Sequence, residues 1–311
     1  MASATEQKEK PAVIVPIAVA EAEVLGSTAS IFNGGPSPLG RVVGAKSDTY
    51  FGFVVETVQE LKRFKFALAS FIFNTLRRRY RRSVLGFAWS LLNPICTMTV
   101  LTVVFGSIFK RDMNSFALFI FSGMLPWTFI QTSILAGSQS ILGSESYLKR
   151  VYVPKAFFPL VSVGTESFNF VLSLSSLFIV AAVAGFHLHA TALLLPAVIA
   201  LTFLFAFGLA MLAGIATVYF RDLSHILGVA FQIAFYLTPI IYPIEQLPHR
   251  IQGICTLNPI YHFLLLFRDV IYEGKIPSAL HWAIPIALTL ASLGISFYVL
   301  KKTEKEIVFR L

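Results

Sequence analysis

Apolar residues along this chain gather into long runs separated by short polar joints. Mainly apolar windows extend from Phe87 to Phe109, Phe116 to Leu135, Phe157 to Phe186, Ala192 to Val218, Ile226 to Tyr242 and Trp282 to Leu300. Each reaches the roughly 17 to 25 residues with which a helix crosses a hydrocarbon core of about 30 Å. Six such runs predict six transmembrane helices in an all-α integral membrane protein. The third and fourth exceed the minimum, which permits tilt or projecting ends.

The joints carry patterns of their own. Val54, Val58, Leu61, Phe64, Leu68, Phe71 and Leu76 recur at intervals of three to five, with Glu56, Glu60, Lys62, Arg63 and Lys65 mostly on other faces. This spacing predicts an interfacial amphipathic helix over residues 51–82, too polar to cross a bilayer and apolar enough to lie among headgroups. Residues 1–50 are rich in Ala, Gly, Pro and Ser without a sustained period, which predicts a disordered tail. Within it, Pro11 to Ala20 imitates a secretion signal, but Pro11 and Pro16 interrupt the run and Glu21 and Glu23 follow at once. Gly40 to Ser47 misses a Walker phosphate loop by Ala45 and follows no predicted strand, so it reads as chance.

Two later joints are longer than a turn. Between Ile141 and Lys155, Ser144 or Ser146 can cap a short helix with an apolar ridge of Tyr147, Leu148 and Val151, which Pro154 stops. Such a helix either docks in a partner's groove or is a plain loop. From Pro243 to His281, two apolar half-helices, Gln252 to Leu257 and Pro259 to Tyr272, are broken by Asn258-Pro259. Re-entrant backbone is tolerated where protein or a water-filled cavity shields it; otherwise the stretch is an outer cap.

Composition agrees with the pattern. With 56% hydrophobic residues, 13% charged and a mean hydropathy of +0.74, the chain is outside the range of soluble domains. Placing the N-terminus in the cytosol puts 20 of the 25 Lys and Arg on the cytoplasmic side and leaves five outside, a strong positive-inside bias that also returns the C-terminus to the cytosol. The net charge of +9 therefore encodes orientation and attraction to anionic lipid, with nucleic acid a poor second partner.

Catalytic constellations are missing from the sequence. His187 and His189 have no nearby carboxylate or Cys, so no metal site is expected, and Cys96 and Cys255 fall too far apart in the predicted topology for a disulfide. Glu166 is the one acid well inside a span, beside Thr165, Ser167 and Asn169. An intramembrane carboxylate serves a proton relay or a polar packing network; the lack of a second acid in any span favours packing. Ala206, Ala210 and Gly214 recur every fourth residue, a small-residue face for close helix approach to an unspecified neighbour.

The junction before the first span, Arg79-Tyr80-Arg81-Arg82-Ser83-Val84-Leu85-Gly86-Phe87-Ala88-Trp89-Ser90-Leu91-Leu92-Asn93-Pro94, resembles one in the permease subunits of ATP-binding-cassette exporters of lipid-linked polysaccharide such as O-antigen, capsule and teichoic acid. Tyr219-Phe220-Arg221-Asp222-Leu223, Leu237-Thr238-Pro239-Ile240-Ile241-Tyr242-Pro243, Leu257-Asn258-Pro259-Ile260-Tyr261 and Phe267-Arg268-Asp269 extend the resemblance in order. It covers about Val54 to the C-terminus, with residues 83–311 as the six-span permease domain; the long tail departs from it.

The resemblance implies a homodimer in the bacterial inner membrane with both termini cytoplasmic, and two copies of a separate cassette ATPase that carries ATP and Mg. This chain would bind no cofactor. Ser144, Glu145, Tyr147, Leu148, Lys149 and Arg150 would form the coupling helix, with Arg221 and Asp222 as a second cytoplasmic contact. A channel between the first and fifth spans of both protomers would be lined by Trp89, Phe105, Phe109, Phe231, Phe235 and Tyr236. Arg78, Arg79, Arg81 and Arg82 would meet the pyrophosphate of a polyprenyl-linked glycan or, more simply, anchor the chain to anionic headgroups.

Two other readings compete. An exporter of drugs or small lipids has the same span pattern. A membrane-embedded glycosyltransferase or phosphatase requires clustered carboxylates or a phosphate-handling nucleophile, which the sequence lacks.

Overall fold

A computed structural model describes residues 49–81, 85–110, 112–183 and 190–311. The expected tail up to residue 48, with its Walker-like stretch, lies outside the described residues, as do Arg82, His187 and His189. Among the described residues there are eleven α-helices and no strand.

The segment expected as one interfacial helix is two, α1 (Tyr50–Arg63) and α2 (Lys65–Tyr80), broken at Phe64. Its apolar ridge turns toward protein: Val54, Leu61, Phe64, Leu68 and Phe71 pack on the core and Leu76 is buried. Burial against a fixed surface accounts for the periodicity that sequence alone ascribes to headgroups. Phe51, Phe66 and Phe73 stay exposed.

Among the described residues five helices are long and apolar enough to cross a membrane: α3 (Trp89–Phe109), α4 (Met113–Ser140), α6 (Phe157–Val183), α7 (Leu195–Tyr219) and α11 (Ala279–Arg310). A six-residue helix, α5 (Glu145–Arg150), joins α4 to α6. The centre of the bundle is the contact of α4 with α7. The small-residue face finds its neighbour there: Gly137 of α4 lies against Ala210, and Gly214 against the Gly137 carbonyl, so closely that a Cβ on Gly137 would be 2.5 Å from that of Ala210. On the other side of α7, Gly208 admits Ser292 of α11 just as tightly. Helices in lipid gain by such close backbone approach because apolar burial alone gives them little reason to leave the acyl chains.

The fifth apolar run, expected as a span to Tyr242, is helical only as α8 (Leu223–Leu237). At 15 residues it measures about 22 Å, so a crossing here needs the non-helical chain after Leu237 to complete it. The reason is local. Thr238 precedes Pro239, a position that disfavours helix, and its backbone is extended at ψ 133°. The carbonyls freed at Pro239 and Ile240 are taken by Arg268 Nη2 at 2.6 and 3.0 Å. Arg268, counted from sequence as an outer loop charge, is instead 5% exposed, with its guanidinium 4.0 Å from the Phe119 ring centroid.

The two half-helices are present as α9 (His249–Leu257) and α10 (Pro259–Ile271), bent by 96° at Asn258. At the far end of α10 the Val270 carbonyl accepts from Thr191, just before α7, and Tyr272 meets Phe119 near the start of α4. Phe263 stacks on Phe205, ten residues along α7, so the Asn258 end dips into the bundle. There Asn258 Nδ2 donates to Thr238 Oγ1 at 2.7 Å, satisfying an amide that would otherwise be stranded. The geometry is that of a re-entrant V whose apex meets the end of α8.

Candidate functional site

The arginine block is held by the face it shares with apolar residues. On α2, Ile72, Leu76 and Arg79-Tyr80 follow at intervals of three and four and so share one side, which packs along α6. On α6, Glu166, Asn169 and Ser173 form the answering row at the same spacing. Arg79 Nη2 donates to Glu166 Oε1 at 2.7 Å; the Arg79 side chain is 46% exposed and that of Glu166 8%. Asn169 Nδ2 holds the second Glu166 oxygen at 3.2 Å, and the Tyr80 hydroxyl donates to Asn169 Oδ1 at 3.0 Å and meets Ser90 Oγ. Glu166 thus belongs to a polar network tying α2 to α6. Arg77, Arg78 and Arg81 are exposed.

The turn from this block into α3 depends on Gly86. Its φ of +48° lies in the left-handed region, while a Cβ there would meet nothing within 4 Å, so backbone conformation alone calls for glycine. Beyond the turn, a cavity of about 410 Å³ opens between α2, α3, α4 and α6, with Trp89, Asn93, Thr97, Thr128 and the Glu166–Asn169 pair in its wall. Sequence reasoning missed it, since its wall comes from four helices.

Of the six aromatic residues expected along a channel, Trp89 and Tyr236 are exposed, Trp89 by 53%. The others face neighbours within the subunit. Phe105 stacks on Phe109, which meets Phe116 edge-on, and Phe231 and Phe235 both pack on Trp127. Besides Trp89 and Tyr236, α3 and α8 present aliphatic side chains outward: Val100, Val103 and Ile108 on one, Ile226, Val229 and Ile233 on the other. Just 17% of the α3 span is buried.

At the opposite end of α4 from Met113, α5 lies against α2. Leu148 is 8% exposed and turned into the subunit, so it cannot serve a docking ridge; apolar packing claims it first. Tyr147 is half-exposed, with one edge on Phe71 at 5.6 Å. Glu145 and Lys149 pair at 2.5 Å across one turn and Arg150 is exposed. Ser144 occupies the N-cap position without a side-chain capping bond. Arg221 and Asp222 are exposed in the turn after α7, near a cluster in which Tyr219 donates to Glu306 at 3.1 Å and Arg310 covers its ring. Behind α5, burial and the Glu60 carboxylate push the Tyr152 phenol up from its ordinary value. Among the described residues no three His, Cys, Asp or Glu side chains come together.

This arrangement of an N-terminal helix pair, a short helix between the second and third long helices, and a re-entrant V before the last can be set beside known proteins. The sequence pattern of the ABC-2 type transporter family matches residues 67–272. The chain belongs to that family. It is 30% identical over 228 residues to the O-antigen export system permease protein RfbA of Myxococcus xanthus, covering 73% of this chain and 88% of the relative. It is 26% identical over 238 residues to the protein of the same name from Klebsiella pneumoniae, covering 75% and 91%. To the polysialic acid transport protein KpsM of Escherichia coli it is 22% identical over 248 residues, covering 78% and 95%. The ABC-2 match spans α2 to Tyr272, so the arginine block, α5 and the re-entrant V all fall within it.

Proposed function

We propose that this ABC-2 chain is the transmembrane subunit of an ATP-driven exporter that moves polyprenyl-pyrophosphate-linked polysaccharide, such as O-antigen, from the cytoplasmic side of the bacterial inner membrane. The observation that carries this reading is the match, over 73–78% of this chain and 88–95% of the relatives, to proteins named for O-antigen export and polysialic acid transport. In it two copies of the chain pair, and the outward aliphatic faces of α3 and α8 are the surfaces available for the second copy, the lipid and the conduit between protomers. Trp89 and Tyr236 are then the rings best placed to stack on sugars. Both chain termini face the cytosol, where positive charge is retained.

ATP and Mg belong to a separate cassette ATPase, two copies of which dock under the bundle. Glu145, Tyr147, Lys149 and Arg150 of α5 form its main contact, and Arg221 and Asp222 a second. Force from the ATPase reaches the arginine block through Phe71, which touches Tyr147 on one side and Phe157 and Phe158 of α6 on the other. Arg78, Arg81 and Arg82 offer planar guanidinium forks to the substrate's pyrophosphate beside membrane lipid, with Arg79 held ready by Glu166.

Deleting the gene should strip polysaccharide from the cell surface while lipid-linked glycan accumulates inside. Glycan staining of intact and lysed cells reads both. Unchanged surface glycan together with a lost tolerance to small amphiphiles would favour the drug or lipid exporter instead.

A further inference from the structure

The cavity between α2, α3, α4 and α6 is more polar than a space in lipid needs to be. Asn93 and Thr97 stand one turn apart on α3, and Thr128 faces them from α4. Asn93 and Thr128 are exposed and Thr97 is half-buried, and their side chains make no hydrogen bond to any described residue. An Asn amide offers two donors and an acceptor, and each Thr hydroxyl a donor and an acceptor. In a hydrocarbon-bounded space such groups are costly unless something polar answers them. The one ionised group in the wall, Glu166, is already committed to Arg79 and Asn169, so the cavity keeps no net charge for a ligand. Four aromatic residues complete the lining: Trp89 is exposed at the rim, the Tyr80 hydroxyl is committed to Asn169 and Ser90, and Phe129 and Phe170 are buried and stack on each other at 4.8 Å. Its volume of about 410 Å³ lies inside the range of roughly 300–1,000 Å³ found for ligand pockets.

An exposed indole for stacking, unanswered neutral hydrogen-bonding groups and no spare charge select one chemistry: a neutral, polyhydroxylated ring. We infer that this cavity is a saccharide-binding site within each subunit, holding a sugar of the glycan at the cytoplasmic half of the bundle. No residue of α8 lines it, and it adjoins the conduit proposed above through Trp89, which stands at its rim. The inference rests on the polysaccharide reading for the source of the sugar; a lipid bearing a polyol headgroup presents the same chemistry.

The test exploits the missing partners. Because Asn93, Thr97 and Thr128 hold nothing in the fold, the apolar variant N93L/T97V/T128V should insert and assemble with its ATPase at wild-type levels. Its export should fall about tenfold, as expected when several hydrogen bonds to a ligand are lost together. A photo-reactive p-benzoylphenylalanine at Met124, in the cavity wall, should form an adduct in glycan-producing cells that mass spectrometry reads as saccharide. The same probe at Leu290, exposed on α11 and away from the conduit surfaces, should capture lipid alone. The Met124 adduct should vanish in the triple variant. Normal export by that variant, no adduct at Met124 as a water-filled space would give, or an adduct with the mass of a headgroup lipid would each overturn the site. The deletion strain separates the two failures: surface glycan that persists without the chain refutes the export reading itself.

Discussion

Gly137→Val should all but remove folded protein from the membrane. A Cβ at this position would lie 2.5 Å from Ala210 Cβ, 2.9 Å from its Cα and 3.0 Å from its carbonyl oxygen. None of these atoms belongs to a flexible side chain, so α4 and α7 must move apart along their length. Overpacking that side chains can absorb costs about 1–3 kcal/mol; here the backbone must yield, and the loss should be at the top of that range or beyond. Against a total stability of about 5–15 kcal/mol, few molecules would pass quality control. Detergent-extracted yield and melting temperature read the effect. The complementary exchange G137A/A210G, which moves one methyl across the contact, should recover much of what G137A alone loses. Wild-type yield for Gly137→Val would mean that α4 and α7 do not approach this closely.

Arg79→Ala should destabilise the protein more than Glu166→Gln, though each breaks the same ion pair. Glu166 is 8% exposed and, without Arg79, keeps a buried charge with only the Asn169 amide bonded to it. Arg79 is 46% exposed and, without Glu166, can turn to water or headgroups. Removing one partner of a fully buried pair costs roughly 3–5 kcal/mol, and the wet guanidinium reduces this to about 2 kcal/mol for Arg79→Ala. The double variant R79A/E166Q should regain most of the lost stability. If Arg79 also receives substrate, that variant will be stable yet slow in export, which separates the two roles. Equal melting temperatures for R79A and wild type would show that the pair contributes nothing.

Much of this architecture is written in hydropathy. The first run, Phe87 to Phe109, and the helix Trp89–Phe109 nearly coincide, and the second, third and fourth runs fall on α4, α6 and α7 with ends shifted by a few residues; the sixth falls on α11, which runs on past Leu300 to Arg310. Asn258-Pro259 marks the re-entrant bend because an Asn N-cap followed by Pro is a strong local signal: Asn258 Oδ1 accepts from the Ile260 amide. The features that sequence left hidden are those decided by a partner elsewhere in the chain. The small face of α7 was visible, but Gly137, its counterpart, is one of two glycines in α4 and nothing near it in sequence sets it apart from Gly123. Arg268 reads as a loop charge until Pro239 and Ile240 are known to lack helical partners. Leu148 and the ridge of α1 and α2 carry a periodicity that fits docking to lipid, to another protein or to the chain's own core, and burial alone decides which. The cavity wall combines residues nearly 100 positions apart, so no local pattern announces it.

The most direct test of the account is transport by purified components. The chain and its cassette ATPase, reconstituted together in sealed proteoliposomes, should move a polyprenyl-pyrophosphate-linked polysaccharide across the bilayer on addition of ATP and Mg. Movement is read as altered access of the glycan to an enclosed glycosidase. The account predicts ATP-dependent movement that is lost without either protein. ATP hydrolysis that leaves the glycan in place while transporting small amphiphiles would contradict it.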